Sequence, residues 1–182
     1  MIKKKTLHFL ITVSSIIVST ALLMLPSPAA EYVAWFCPGL FLAVLCGICC
    51  GFFPALLVGL LPPFAAYLVR NFSLPGAEFA LYVPMGVLAV SGIMAAIVYG
   101  TLHSSIGASV SAVLAGRLVL GIANLILYHV LGDTYTIRRF VTDGFVSVWA
   151  GLLAVVILIP IIILIFRRRG VMKLLRDEKP TL

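Results

Sequence analysis

Arg117 is the single formal charge in the stretch LAGRLVLGIANLILYH, residues 114–129. An arginine near the centre of a bilayer costs about 2.5–3.5 kcal/mol on insertion scales, so something must compensate it. Residues three, four and seven positions apart share a helix face. From Arg117 that face holds Gly121, Asn124 and Tyr128, a charge, an amide and a phenol leading toward one end. At about 1.5 Å per residue, Arg117 lies about 16 Å below Tyr128. Downstream, Asp143, Ser147 and Gly151 share a face by the same rule, and upstream Glu78, Tyr82, Met85 and Ala89 do. Asp143 is expected about 8 Å below the outer boundary, near the level of Asn124. Two roles are open to Arg117. It can cap carbonyls of a broken neighbouring helix or pair with Asp143. Alternatively, it can line a cavity open to the outside and face a carboxylate or carbonyl of a ligand.

These groups are suited to binding rather than to bond-making. The chain has no HExxH, no GxSxG and no Walker A sequence, so the usual metalloprotease, hydrolase and nucleotide-binding sets are missing. His8, His103 and His129 are far apart and fall at different helix ends. Cys46 and Cys49 have the spacing of a metal or redox pair, but no second pair and no nearby histidine accompanies them. With Cys37 and Cys50 they read as small buried hydrophobes. The expectation is a protein that is not an enzyme, with no metal site and no cofactor.

The elements that must position these residues follow from composition. The chain has 182 residues, 63% hydrophobic and 10% charged, with a mean hydropathy of +1.21. Soluble domains are nearer 45–50% apolar and about 25% charged. A membrane span takes roughly 20 apolar residues. The apolar runs predict an all-α membrane protein, one domain over 1–182, with six transmembrane helices in a compact bundle. The spans are about 7–25, 38–51, 54–69, 79–102, 108–128 and 141–166. Gly51 and Pro54 mark the turn between the second and third. The net charge of +7 gathers at the ends, in Lys3–Lys5 and in Arg167–Arg169, Lys173, Arg176 and Lys179. Such clusters mark the cytoplasmic side, so both termini are predicted inside, and the basic balance is not read as nucleic-acid binding. Arg70, Arg138 and Arg139 would lie outside, where they can serve a ligand site. MIKKK, the following apolar run and PSPAAE imitate a signal peptide, but the run exceeds the roughly 7–15 residues of a signal core, which favours a retained first helix.

Ala43, Gly47, Gly51, Ala55 and Gly59 recur every fourth residue, and Ser15 and Ser19 form a shorter pair. Small residues at this spacing let helix backbones approach closely in lipid. Ser15, Ser19, Ala43, Gly47 and Gly51 therefore form either an internal packing face or a docking face for another membrane subunit.

AGRLVLG resembles the AGR-x-x-x-G signature on the fifth helix of S components, the substrate-binding subunits of energy-coupling factor (ECF) transporters. GLFLAVLCGICCGFFPALLVGLLPPFAAYL is similar to their paired second and third helices. VPMGVLAVSGIMAAIVYG is similar to their fourth, and DGFVSVWAGLLAVVILIP to their sixth. The likeness covers about Leu7 to Arg169 and leans toward the pantothenate- and pyrimidine-type members. It implies a six-helix protein of the prokaryotic cell membrane that captures a vitamin or related nutrient from outside. Its partners would be a transmembrane T component and two cytoplasmic ATPases. By position it implies a pocket from Arg117, Asn124, Tyr128, Asp143 and Ser147, with Glu78 and Tyr82 as further candidates. The rival class is a non-catalytic membrane scaffold of the cell envelope, which needs no inward polar stripe.

Overall fold

The computed structural model describes residues 4–24, 37–70, 78–130 and 135–176, and the backbone alone at 70, 78–81, 143 and 174. The described residues are helical almost throughout: α1 (Lys4–Leu23), α2 (Pro38–Cys50), α3 (Phe52–Arg70), α4 (Glu78–Leu102), α5 (Ser105–Val130), α6 (Ile137–Val141), a π-helical turn (Thr142–Val146), α7 (Trp149–Arg168) and α8 (Val171–Arg176). Among them, five helices are long and apolar enough to cross a membrane: α1, α3, α4, α5 and α7. Their outward faces stay apolar: Leu118, Ile122 and Ile126 on α5 are each more than half exposed, a surface that hydrocarbon satisfies and water does not. The chain is a multi-pass membrane protein, all-helical among its described residues.

Two of the six predicted spans differ from regular full-length helices. The second, 38–51, is α2, a helix of 13 residues. At 1.5 Å per residue it is about 20 Å long, short of the roughly 30 Å hydrocarbon core. Gly51 ends it with φ +96°, a left-handed backbone that glycine adopts without steric penalty. The predicted sixth span, 141–166, is present as α7, long and apolar enough to cross a membrane, and its first residues form the π-helical turn. Ser147 N–H donates to Thr142 O at 2.9 Å, a bond five residues back that inserts an extra residue into the helical ladder. Regular helix resumes only at Trp149.

α2 is the most enclosed element. Leu40, Ala43, Val44, Cys46, Gly47, Ile48, Cys49 and Cys50 are all buried, and α1, α3, α4, α5, α7 and α8 all touch it. It forms an antiparallel hairpin with α3, seated on α4. A Cβ added at Gly92 of α4 would lie 3.1 Å from both Ala43 O and Ala55 Cβ. One at Gly59 would meet the Ala89 backbone at 2.5 Å, and one at Gly47 would collide with Gly92 O. The small-residue series is the seam along which α2 and α3 approach α4. This is the close backbone packing that small residues permit in lipid.

The first turns of α1 and the short α8 meet at one end of the bundle. His8 Nε2 donates to Leu175 O at 2.8 Å. Arg176 Nη2 donates to Gly47 O at 3.2 Å, placing a cation at the carboxyl end of α2, where the helix dipole favours one. The Arg167 and Arg176 guanidinium carbons stand 5.6 and 5.0 Å from the Tyr99 ring centroid. Arg167 also donates to Tyr99 OH at 3.0 Å and to His103 O at 2.8 Å. Met172 and Leu175 of α8 are buried beneath this polar cluster.

Candidate ligand site

The site begins with the contact between α4 and α5. Ser91 donates its hydroxyl back to Val87 O at 2.7 Å, which satisfies it inside apolar surroundings. Gly116 faces this pair: an added Cβ would strike Ser91 Oγ and lie 3.4 Å from Val87 O. Glycine at 116 therefore lets α5 press against α4. The next residue, Arg117, is carried into the bundle and is 7% exposed. It is the thirteenth residue of the 26-residue helix α5. The rise to it from Ser105 is about 18 Å, which is mid-membrane if α5 spans.

Arg117 Nη2 donates to Cys37 Sγ at 3.7 Å. A thiol is a weak acceptor and offsets little of the guanidinium's lost hydration. Cys37 caps α2 in a left-handed conformation, φ 45° and ψ 52°, and Pro38 follows at the first turn. The cap side chain makes no hydrogen bond to that turn. Arg117, at the middle of α5, thus stands beside the amino end of a helix whose other end meets the basic cluster.

Farther up α5 the polar stripe is joined by residues from the segment that follows it. Asn124 Nδ2 donates to Tyr135 OH at 3.3 Å. The Tyr128 and Tyr135 rings are 5.1 Å apart, and the Arg139 guanidinium lies 5.5 Å from the Tyr128 centroid. Asn124 and Tyr128, expected as site residues, are brought together. Arg139, expected as an outer arginine able to serve a ligand site from its departure from the charge bias, joins the cluster, and Tyr135 completes it without any signal in the sequence.

Other expected site residues lie elsewhere. Tyr82 is 60% exposed. Ser147 is exposed and spends its hydroxyl on Thr142 O at 2.7 Å, because the π-helical turn rotates it away from the face expected for a regular helix. The Glu78 and Asp143 side chains fall outside the described residues, and so does the proposed Arg117–Asp143 pairing. Gly121 is covered by the Phe140 ring, whose Cε2 would lie 2.6 Å from an added Cβ. The groove of about 270 Å³ alongside it, lined by Leu118, Ile122, Leu125, Tyr135, Ile137 and Phe140, is apolar and opens on the outward face of α5. The residues expected to dock a partner are turned inward. Ser15, Ser19, Ala43 and Gly47 are buried within the chain, and Gly51 forms the α2–α3 turn. Internal packing accounts for their size and spacing. Among the described residues, no group of three His, Cys, Asp or Glu could hold a metal ion.

Comparison with protein families, curated proteins and solved structures returns no match.

Proposed function

We propose that the protein is the substrate-binding membrane subunit of an ECF-type importer. In this reading it captures a small polar nutrient of the vitamin class from outside the cell. Six membrane-embedded helices, α2 being about two thirds of full length, put both termini in the cytoplasm of a prokaryotic cell. A transmembrane T component and two cytoplasmic ATPases drive uptake, and this chain performs no catalysis. Arg117 carries the reading: a charge 7% exposed, carried by the middle of an apolar helix and beside a thiol at 3.7 Å. Intramembrane ionisable residues are functional candidates by default. A structural role alone calls for acceptors that match the guanidinium, and Cys37 is a poor one. The Asn124–Tyr135–Tyr128–Arg139 cluster lies along the same stripe toward the other end of α5. This supports a polar route from the outer face to Arg117.

Gentle detergent purification of the tagged chain from its native membrane tests the assembly. Co-retention of a polytopic membrane protein and ATPase subunits, with a small nutrient in the extract, is the expected result. Retention of envelope-assembly proteins without ATPases would favour a scaffold instead.

A further inference from the structure

The first turn of α2 presents backbone N–H donors. The first intrahelical bond of α2 is Phe41 N–H to Cys37 O at 3.2 Å. The N–H groups of Gly39 and Leu40 therefore belong to the first turn, which has no acceptor within its own helix. Cys37 supplies no side-chain cap to them. Ser19 of α1 lies against this turn, its Oγ 3.4 Å from where a Gly39 Cβ would stand. That hydroxyl is enclosed in a residue 1% exposed and, among the described residues, has no hydrogen-bond partner. Arg117 reaches the same cap from α5.

A buried polar group without a partner is costly, and in lipid water does not relieve the cost. Arg117 meets the Cys37 cap and the Ser19 hydroxyl lies against the turn that follows it, and the positive end of the helix dipole adds to the arginine's charge. Discontinuous membrane helices use this arrangement to hold anionic substrate groups near the midplane. A carboxylate offers two oxygens and a negative charge, and matches both the guanidinium fork and the first-turn amides.

We infer that Arg117, the first turn of α2 and Ser19 form a mid-depth anion site that holds the carboxylate of an acidic nutrient. This rests on the reading that the chain binds a nutrient, and it deepens that reading by fixing the ligand's charge. The neutral part of the ligand would then extend along α5 toward Asn124 and Tyr128.

Matched acid and neutral pairs test it on the purified full-length chain: nicotinate with nicotinamide, pantothenate with pantothenol, and lipoate with lipoamide. Binding is followed by equilibrium dialysis and by the ligand-induced shift in unfolding temperature. At least one acid is expected to bind about tenfold or more tighter than its neutral partner, the scale of one charge-assisted hydrogen bond. Arg117→Gln should remove that preference and Ser19→Ala should weaken acid binding several-fold. Should Arg117→Gln fail to fold, the acid-to-neutral ratio of the parent protein and the Ser19→Ala result still decide. A neutral partner binding as tightly as its acid would overturn the anion site while leaving nutrient binding intact. Failure of every acid to bind folded protein would overturn it too. Acid-selective binding by a chain that purifies without ATPases would uphold the site and count against the importer.

Discussion

Arg117 owes its position to its neighbour. Gly116 is the contact surface between α5 and α4, and a side chain there would collide with Ser91. Gly116→Leu is expected to overpack this seam, costing about 1–3 kcal/mol, and to displace Arg117 from Cys37. A lowered thermal midpoint in detergent, together with weakened ligand binding, would show both effects. Tyr135→Phe makes a gentler test of the upper cluster. It removes the phenol that accepts from Asn124 and keeps the ring against Tyr128. Its stability cost should be about 0.5–1.5 kcal/mol, measured by the same unfolding assay, with a larger relative loss in ligand binding. An equal, small loss in both would assign Tyr135 to packing alone.

At the scale of elements, the hairpin of α2 and α3 depends on residues without bulk. Gly47→Val would drive a branched side chain into the Gly92 carbonyl, where backbone rather than a flexible side chain is the obstacle. Gly51→Ala would force φ +96° on a residue with a Cβ, at about 1 kcal/mol or more. Both variants are expected to unfold at lower temperature than the parent, Gly47→Val by the wider margin. Much of this organisation is legible in the chain. The apolar runs locate α1, α3, α4 and α5 to within a few residues, Gly51 announces the turn, and the four-residue spacing of Ala43, Gly47, Ala55 and Gly59 announces a close contact. What the spacing does not show is which surface the small residues meet. A stripe that seats on α4 and one that seats on a separate subunit have the same composition. The bounds of α2 are legible as well, 38–51 expected against Pro38–Cys50 observed, but the nearly continuous hydropathy of residues 38–69 does not show that a helix of this length is shorter than a full span. The π-helical turn is hidden too: Thr142 and Ser147 look ordinary in a helical pattern, and only the Ser147 N–H bond to Thr142 O, five residues back, inserts the extra residue. Ser147 was assigned to the site on a regular helical register that this turn interrupts.

Across the whole molecule, polarity divides between two levels. One end is basic, and there Arg176 and Arg167 bind Tyr99 and tie α8 to α2, α4 and α7. His8 adds α1 to the same knot. Arg176→Ala removes the cation at the carboxyl end of α2 and a ring contact. It should loosen α8 at a cost of about 1–2 kcal/mol, seen as faster proteolysis near residue 170 in detergent, with ligand binding little changed because Arg117 lies at the other end of α2. At the middle of α5, by contrast, Arg117 and the amino end of α2 offer donors that the described residues answer only with the Cys37 thiol. Binding of a nutrient at that level is the central claim. Its most direct test is equilibrium binding of a labelled vitamin panel to the purified protein and to Arg117→Ala. Submicromolar binding of one nutrient by the parent, weakened about ten- to a hundredfold in the variant, is the predicted result. A folded parent that binds none of them, or a variant that binds as tightly as the parent, would contradict it.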